Sequence, residues 1–351
     1  MKRYIILLAM LLAIGASAKA QGEKKYSVYA VGFYNLENLF DTCHDAGKND
    51  YEYLPDGSMK WNGMKYSNKL RNMARVLADM GTDLLPNVGC TLIGVSEVEN
   101  AKALTDLTAQ EALAPRGYKY CHTEGEDARG VDCALLYNPR LFTVRNVKLL
   151  PYVQTLEKDS AYKTRGFLTV SGTLAGEHVT VIVAHLPSRF NGSFYRELGA
   201  RQIKAIKDSL IQEDPQVKVI VMGDMNDDPM NRSMAVELGG KREISEVGEG
   251  DMYNPWWNTL KSGKGTLFYN GSWNLFDQII LSPSLICRDG KKDYSTLKYL
   301  RHQIFSRDYL FQQEGRYKGT PKRTHAGGVW LNGYSDHLPT IVYLVKQQNK
   351  R

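Results

Sequence analysis

Between residues 117 and 185 five β-like runs follow one another, 117–122, 131–137, 145–150, 166–174 and 179–185, with no helical stretch between them. The runs are rich in β-branched and aromatic residues and are separated by Gly, Asn, Asp and Pro. Strict βα alternation, the pattern of a doubly wound parallel fold, is excluded. Mixed sheets with helices packed outside are expected instead.

On either side the chain does alternate. Residues 27–34 (SVYAVGFY) read as a strand, and Leu70, Met73, Leu77 and Met80 recur at helical spacing before Gly81 closes that helix. A buried strand at 91–97 ends in a carboxylate, and a helix near 101–113 follows. Beyond residue 185 come a helix over 194–212, with Ile203, Ile206 and Leu210 on one face, and strands at 217–222, 276–282 and 338–345. There is no repeat of the period that marks a solenoid or propeller. The stretches 42–65, 245–275 and 311–335 are polar and long for plain connections, which suits loops on an active face. No long linker divides the chain, so residues 21–351 are expected to form one catalytic domain.

Residues 1–20 are expected to lie outside it. Lys2 and Arg3 precede an uncharged run from Tyr4 to Ile14, and small residues lead to Ala18-Lys19-Ala20. A charged start, an apolar middle and a small-residue end make a secretory signal peptide. The expected mature chain begins near Gln21, and its location is periplasmic or extracellular. Loss of Lys2, Arg3 and Lys19 takes the net charge from +7 to +4, too mild to identify a nucleic-acid binder. The five cysteines, Cys43, Cys90, Cys121, Cys133 and Cys287, include no C-x-x-C pair, so a zinc cage is not expected. Cys121 and Cys133 can face each other across a hairpin, but an odd count in a chain with a large core favours buried free thiols.

Polar residues gather immediately beyond strand ends. Asn35 and Glu37 follow the first strand (YNLEN), Glu97 ends the second (GVSEVEN), and His185 ends another (VIVAHLPSR). Asp224 and Asn226 follow an apolar run (VMGDMNDDP), Asp277 opens a strand (FDQIILS), and Asp336-His337 precede the last (YSDHLP). Carboxylates and histidines so placed converge on one rim of a sheet. Their hard oxygens suit Mg²⁺, Mn²⁺ or Ca²⁺. A cation, a carboxylate to activate water and two imidazoles make a phosphoester-hydrolysing set. Arg129, Arg165, Arg189 and Arg196 lie near these motifs, and a guanidinium grips phosphate oxygens in bidentate fashion.

These blocks, in this order over essentially all of residues 21–351, resemble the endonuclease/exonuclease/phosphatase superfamily. The resemblance implies a four-layer α/β/β/α sandwich, with two mixed β-sheets packed face to face. It implies Glu97 as the principal Mg²⁺ ligand with Asn35 beside it, Mn²⁺ suiting the same donors. It further implies Asp224 as the base for the attacking water, Asn226 on a phosphate oxygen, and His337 on the scissile phosphate, held by Asp336. His185 then assists near the leaving oxygen, Asp277 supports the histidines, and Asp132 in RGVDCALLY orients His185. Arg129, Arg189 and Arg196 are expected on substrate phosphate. Two positions depart from the family pattern: Ala184 where an Asn often precedes the histidine, and Met225 where a Phe is usual.

The expected activity is metal-dependent phosphodiester hydrolysis by in-line attack of water, with nucleic acid as the favoured substrate and a secreted nuclease as the enzyme. A phospholipid or sphingomyelin phosphodiesterase and a small-molecule phosphatase are the alternatives, and a non-catalytic binding module is the reading from another class. The aromatics of 253–273 (Tyr253, Trp256, Trp257, Phe268, Tyr269 and Trp273) can stack bases, meet lipid or simply pack. No stable protein partner is expected, and the chain is expected to be a monomer. P-loop, zincin, GxSxG and dinucleotide fingerprints are absent from the sequence.

Overall fold

A computed structural model describes residues 24–153 and 163–348. Residues 1–20, the expected signal peptide, therefore lie outside the described residues. The strands in chain order are β1 (Tyr26–Leu39), β2 (Cys90–Val98), β3 (Lys119–His122), β4 (Asp132–Tyr137), β5 (Phe142–Leu150), β6 (Phe167–Leu174), β7 (Glu177–His185) and β8 (Lys218–Asp224). They continue with β9 (Gly240–Lys241), β10 (Met252–Tyr253), β11 (Leu267–Tyr269), β12 (Ser272–Asn274), β13 (Asp277–Leu281), β14 (Lys298–Ile304), β15 (His325–Ala326), β16 (Val329–Trp330) and β17 (Thr340–Gln347). The α-helices are α1 (Gly63–Asp79), α2 (Ala101–Thr108), α3 (Ser193–Glu213) and the short α4 (Trp256–Lys261).

Two large mixed sheets result, in the orders β14-β17-β1-β2-β4-β3 and β5-β6-β7-β8-β13-β10-β9. Each is built around a parallel pair, β1/β2 in one and β7/β8 in the other, flanked by antiparallel strands. Alternation along the central strands makes the layers. In β1, Val31 and Phe33 face the second sheet, while Ala30 and Tyr34 face the helices. In β8, Ile220 and Met222 fill the space between sheets, while Val219 and Val221 meet the layer that includes Ala200 and Ile203 of α3. Helix α1 covers the other outer face with Leu70, Met73 and Leu77. The sheets close on each other where Gly94 lies, since a Cβ there would sit 2.4 Å from the Met222 sulfur.

Helix ends follow local chemistry. Asn62 and Asn100 cap α1 and α2 by accepting from the Lys65 and Ala103 amides. Beyond α1, Gly81 takes φ +79°. The second helix stops at Thr108 rather than near 113, because a separate 3₁₀ turn over Ala114–Arg116 forms around Pro115. Strand β14 has no counterpart among the expected strands. It is a half-exposed sheet edge whose sequence, KYLRHQI, lacks clean alternation.

The aromatic segment mostly packs. Trp256 is fully buried with its indole N–H on the Ile279 carbonyl, and Tyr253 and Phe268 meet Tyr299 and Trp273 edge to face. Tyr269, at the end of β11, stands exposed. All five cysteines are free, with Cys90, Cys121 and Cys133 buried, Cys43 exposed and Cys287 between. In the β3/β4 ladder Cys121 lies opposite Leu135, so Cys133 is out of register with it.

Candidate active site

The carboxyl ends of β1, β2, β7 and β8 meet the amino ends of the antiparallel β13 and β17 on one rim. Ladder register does the positioning: His185 is the β7 partner of Asp224, and Asp277 is its β13 partner on the other side. Asn35 reaches across from the first sheet, with its Nδ2 donating to Asp224 Oδ2 at 2.9 Å and lying 3.4 Å from Glu97 Oε1. The next turn is tight, and Glu37, Asn38 and Glu97 all take positive φ without being glycine. That conformation aims the Asn38 amide at Glu97 Oε2, 3.0 Å away. Ser335 ties the last loop to the first strand: its hydroxyl donates to the Asn35 carbonyl at 2.8 Å and accepts from the His337 amide.

Two imidazoles flank Asp224. His185 Nε2 lies 3.5 Å from Asp224 Oδ2, and His337 Nε2 lies 3.8 Å from the same oxygen. Their charge states differ for a visible reason. Burial and the nearby Arg165 and Arg129 push the His185 pKa well below the usual imidazole value, so the ring is neutral. Burial disfavours charge on His337 too, but Asp277 and Asp224 outweigh it and hold the imidazolium well above the usual value. Burial, with Asp277 adding to it, raises the Asp224 carboxyl, and His337 partly opposes the shift.

Several expected roles change in the structure. His337 Nδ1 is bound by Asp277 at 2.7 Å, whereas Asp336 is 3.9 Å from Nε2 and instead accepts from Arg323 at 2.8 Å. Asp277 therefore holds His337. Asp132 does not orient His185, whose Nδ1 has no hydrogen-bond partner among the described residues. Its carboxylate meets His122 at 3.2 Å and accepts from the Gly125 amide at 2.9 Å. Arg196 is buried, paired with Asp227 at 2.9 Å and donating to the Ser188 and Gly192 carbonyls, so it fastens a turn instead of gripping substrate. Arg189 spends its donors on Asn226, Asn274, Asp228 and Asn231, a latch between loops. Arg129 remains part-exposed beside Asn38.

Asn226, at φ +49°, secures Asp224 through its amide at 3.0 Å while its side chain donates to the Leu186 carbonyl. Asn35 offers its NH₂ to two carboxylates, and its oxygen accepts from the Glu37 amide with one lone pair left over.

For a cation the rim offers two oxygen-bearing groups. Glu97 is partly open, its side chain 15% exposed, and has no Lys or Arg partner among the described ion pairs. Asp224, Asp277 and His337 form a buried set whose ligand atoms lie within 4.8 Å of one another. In that set the Asp277–His337 hydrogen bond already uses Nδ1. A hard divalent ion fits Glu97 better, on the chemistry of the donors. Two participants, the buried Lys69 and Arg323, are not legible as site residues, whereas Glu37 is visible beside Asn35 in YNLEN but is given no role there. The one available signal was a buried-type position, Lys69, on the apolar face of α1.

A four-layer sandwich that gathers three carboxylates, Glu97, Asp224 and Asp277, and two unlike histidines at strand ends defines a phosphoester-hydrolase type of rim. The model of the Endonuclease/Exonuclease/phosphatase family matches residues 30–346, and the chain belongs to that family. Its fold is similar to that of an endonuclease/exonuclease/phosphatase family protein from Bacteroides thetaiotaomicron (TM-score 0.55, 16% identity, 94% of this chain and 100% of that one). It is also similar to a mannosyl-6-phosphatase from the same organism (TM-score 0.54, 16% identity, 90% and 99%). A third similar structure is TDP2 from D. rerio in complex with a single-strand DNA product (TM-score 0.51, 14% identity, 91% and 99%). No curated protein matches the sequence.

Proposed function

We propose that the chain is a divalent-metal-dependent phosphodiester hydrolase that acts on nucleic acid after export. One observation carries the hydrolase reading: Asp224 lies between a neutral and a cationic imidazole and is joined through Asn35 to an open carboxylate, Glu97.

Glu97 would hold the cation, which when bound supplies charge neutralisation on the phosphoryl oxygens. Asp224, its affinity for a proton raised by burial, takes the proton of the attacking water. The new P–O bond forms as the ester P–O bond breaks on the opposite side. His337, kept cationic by Asp277 and Asp224, donates from Nε2 to the charge that develops on phosphorus. His185 presents a neutral ring that can hydrogen-bond the leaving oxygen, which departs as an alkoxide and takes its proton from solvent water. Asn35 keeps the two carboxylates in register.

Support for a nucleic-acid substrate comes from the rim. Arg129 borders it, and Phe190, five residues past His185, is 98% exposed, a surface suited to an extended polyanion with bases to stack. A compact cleft of about 190 Å³ beside Asn38 favours a second reading, a small phosphoester. Plasmid nicking by protein beginning at Gln21, with Mg²⁺ and with EDTA, and with His337→Ala as the contamination control, tests the proposal. Metal-dependent nicking that disappears in the variant supports it. Absence of nicking alongside hydrolysis of small phosphoesters selects the second reading. Export is tested by amino-terminal sequencing of secreted protein, which should begin near Gln21.

A further inference from the structure

The loop over 322–334 is pinned beside the rim by groups that no catalytic step uses. Lys69, fully buried on α1, donates from Nζ to the Thr324 hydroxyl and to the Tyr334 carbonyl, each at 2.6 Å. Glu37, also buried, accepts from the Thr324 amide at 2.6 Å and from Arg323 Nε at 3.1 Å. The other end of the Arg323 guanidinium donates from Nη2 to Asp336. Burying a lysine and a glutamate is expensive unless they order something. What they order here is one arginine.

That arginine is not spent. Its side chain is 46% exposed, and Nη1 makes no hydrogen bond within the described residues. It lines the cleft of about 190 Å³ whose other walls include Asn38, Tyr53, His325 and the Gly327-Gly328 turn. Glu37 and the Asn38 turn that holds Glu97 form one wall of this cleft, and Arg323 links it to Asp336, the residue before His337. Behind it, His325 is wedged against Trp61 and Trp330, so the wall is rigid. Both glycines have positive φ, and a Cβ at either would meet nothing within 4 Å, so the turn stays low and the cleft open.

We infer that this cleft is a subsite for a second phosphate group of the substrate, next to the one being hydrolysed, and that Arg323 is the cation that recognises it. A planar guanidinium fixed at Nε and Nη2 presents its remaining N–H groups in one direction, which is how arginine selects phosphate. Arg129, on the far side of Asn38, adds charge of the same sign. The inference rests on the phosphoester-hydrolase reading and narrows its substrate to molecules carrying two neighbouring phosphates. These are a nucleic-acid strand, with its flanking phosphate, or a small bisphosphate.

The test compares substrates on the full mature chain with Mg²⁺. The substrates are a single-stranded oligonucleotide, a nucleoside 3′,5′-bisphosphate, and their one-phosphate counterparts, a dinucleoside monophosphate and a nucleoside 5′-monophosphate. Arg323→Ala should raise KM for the two-phosphate members about tenfold more than for the one-phosphate members. It should also flatten the salt dependence of oligonucleotide KM by about one ion. Arg323→Lys should recover part of the loss. A second variant leaves the Glu37–Arg323–Asp336 network alone: Gly327→Asp, at φ +56°, places an anion in the open cleft and should disfavour the same substrates. A larger effect on the oligonucleotide than on the bisphosphate assigns the second phosphate to a strand, and the reverse assigns it to a small molecule. Equal KM changes on one- and two-phosphate substrates would overturn the subsite, leaving the hydrolase reading intact. Failure of the wild-type protein to hydrolyse any of the four overturns both.

Discussion

Two histidines on one rim end up in different charge states, one neutral and one cationic, and the difference is made by their neighbours. His337 has Asp277 on Nδ1 and Asp224 facing Nε2, while His185 has arginines near it and, among the described residues, no partner on Nδ1. Asp277→Asn keeps the hydrogen bond but removes the negative charge. The His337 pKa then falls, the imidazolium is lost at a lower pH, and the alkaline limb of the kcat profile moves toward acid. A profile that stays in place contradicts the assignment of His337 as the cationic group. Arg196 makes a prediction of the other kind. Arg196→Met removes the 2.9 Å partner of the buried Asp227 and leaves it the Arg189 contact at 3.5 Å and the Ser233 hydroxyl, so the loss should fall short of the ~3–5 kcal/mol of a fully broken buried pair. Thermal unfolding of that variant should show a clear loss of stability. At this scale the sequence identified which residue types gather on the rim but not who holds whom. Asp277 and His337 are 60 residues apart, and the choice between Asp277 and the adjacent Asp336 is decided by sheet register, which no local pattern encodes.

Strand pairing is what turns scattered motifs into a site. Gly223 immediately precedes Asp224, and a Cβ there would lie 1.9 Å from the Ala184 carbonyl oxygen, inside the β7/β8 ladder. Gly223→Ala should therefore push β8 from β7, destabilise the fold by about 3 kcal/mol and separate His185 from Asp224. Differential scanning calorimetry checks the first effect and turnover the second. Elements with strong pattern were legible: β7, β8, α1 and α3 fall close to their expected positions because their apolar periodicities are clean. Strand β14 was not, since an exposed edge imposes little on its residues. Nor was the shortened α2, where Pro115 starts a new turn. For the 253–273 segment the sequence leaves stacking, lipid contact and packing open, and the structure shows mostly packing, because Trp256 and Tyr253 find partners in distant strands.

The molecule as a whole relies on its three apolar layers, with no covalent staples among the described residues. Reducing agent should leave its Tm unchanged within about a degree, whereas a disulfide typically contributes about 2–4 kcal/mol and its loss would lower Tm measurably. The sandwich also explains why the rim is open: four strand ends from two sheets form a shallow edge, and loops such as 322–334 must be fastened to it from behind. Asp224 is the group on which the proposed hydrolysis most depends. The direct measurement is turnover of bis(p-nitrophenyl) phosphate by Asp224→Asn at saturating Mg²⁺, beside its thermal unfolding. The account predicts a fall in kcat of about 10²-fold or more with Tm within a few degrees of the parent protein. Turnover within a factor of about two of the parent would contradict it, because a general base cannot be replaced by an amide at so small a loss.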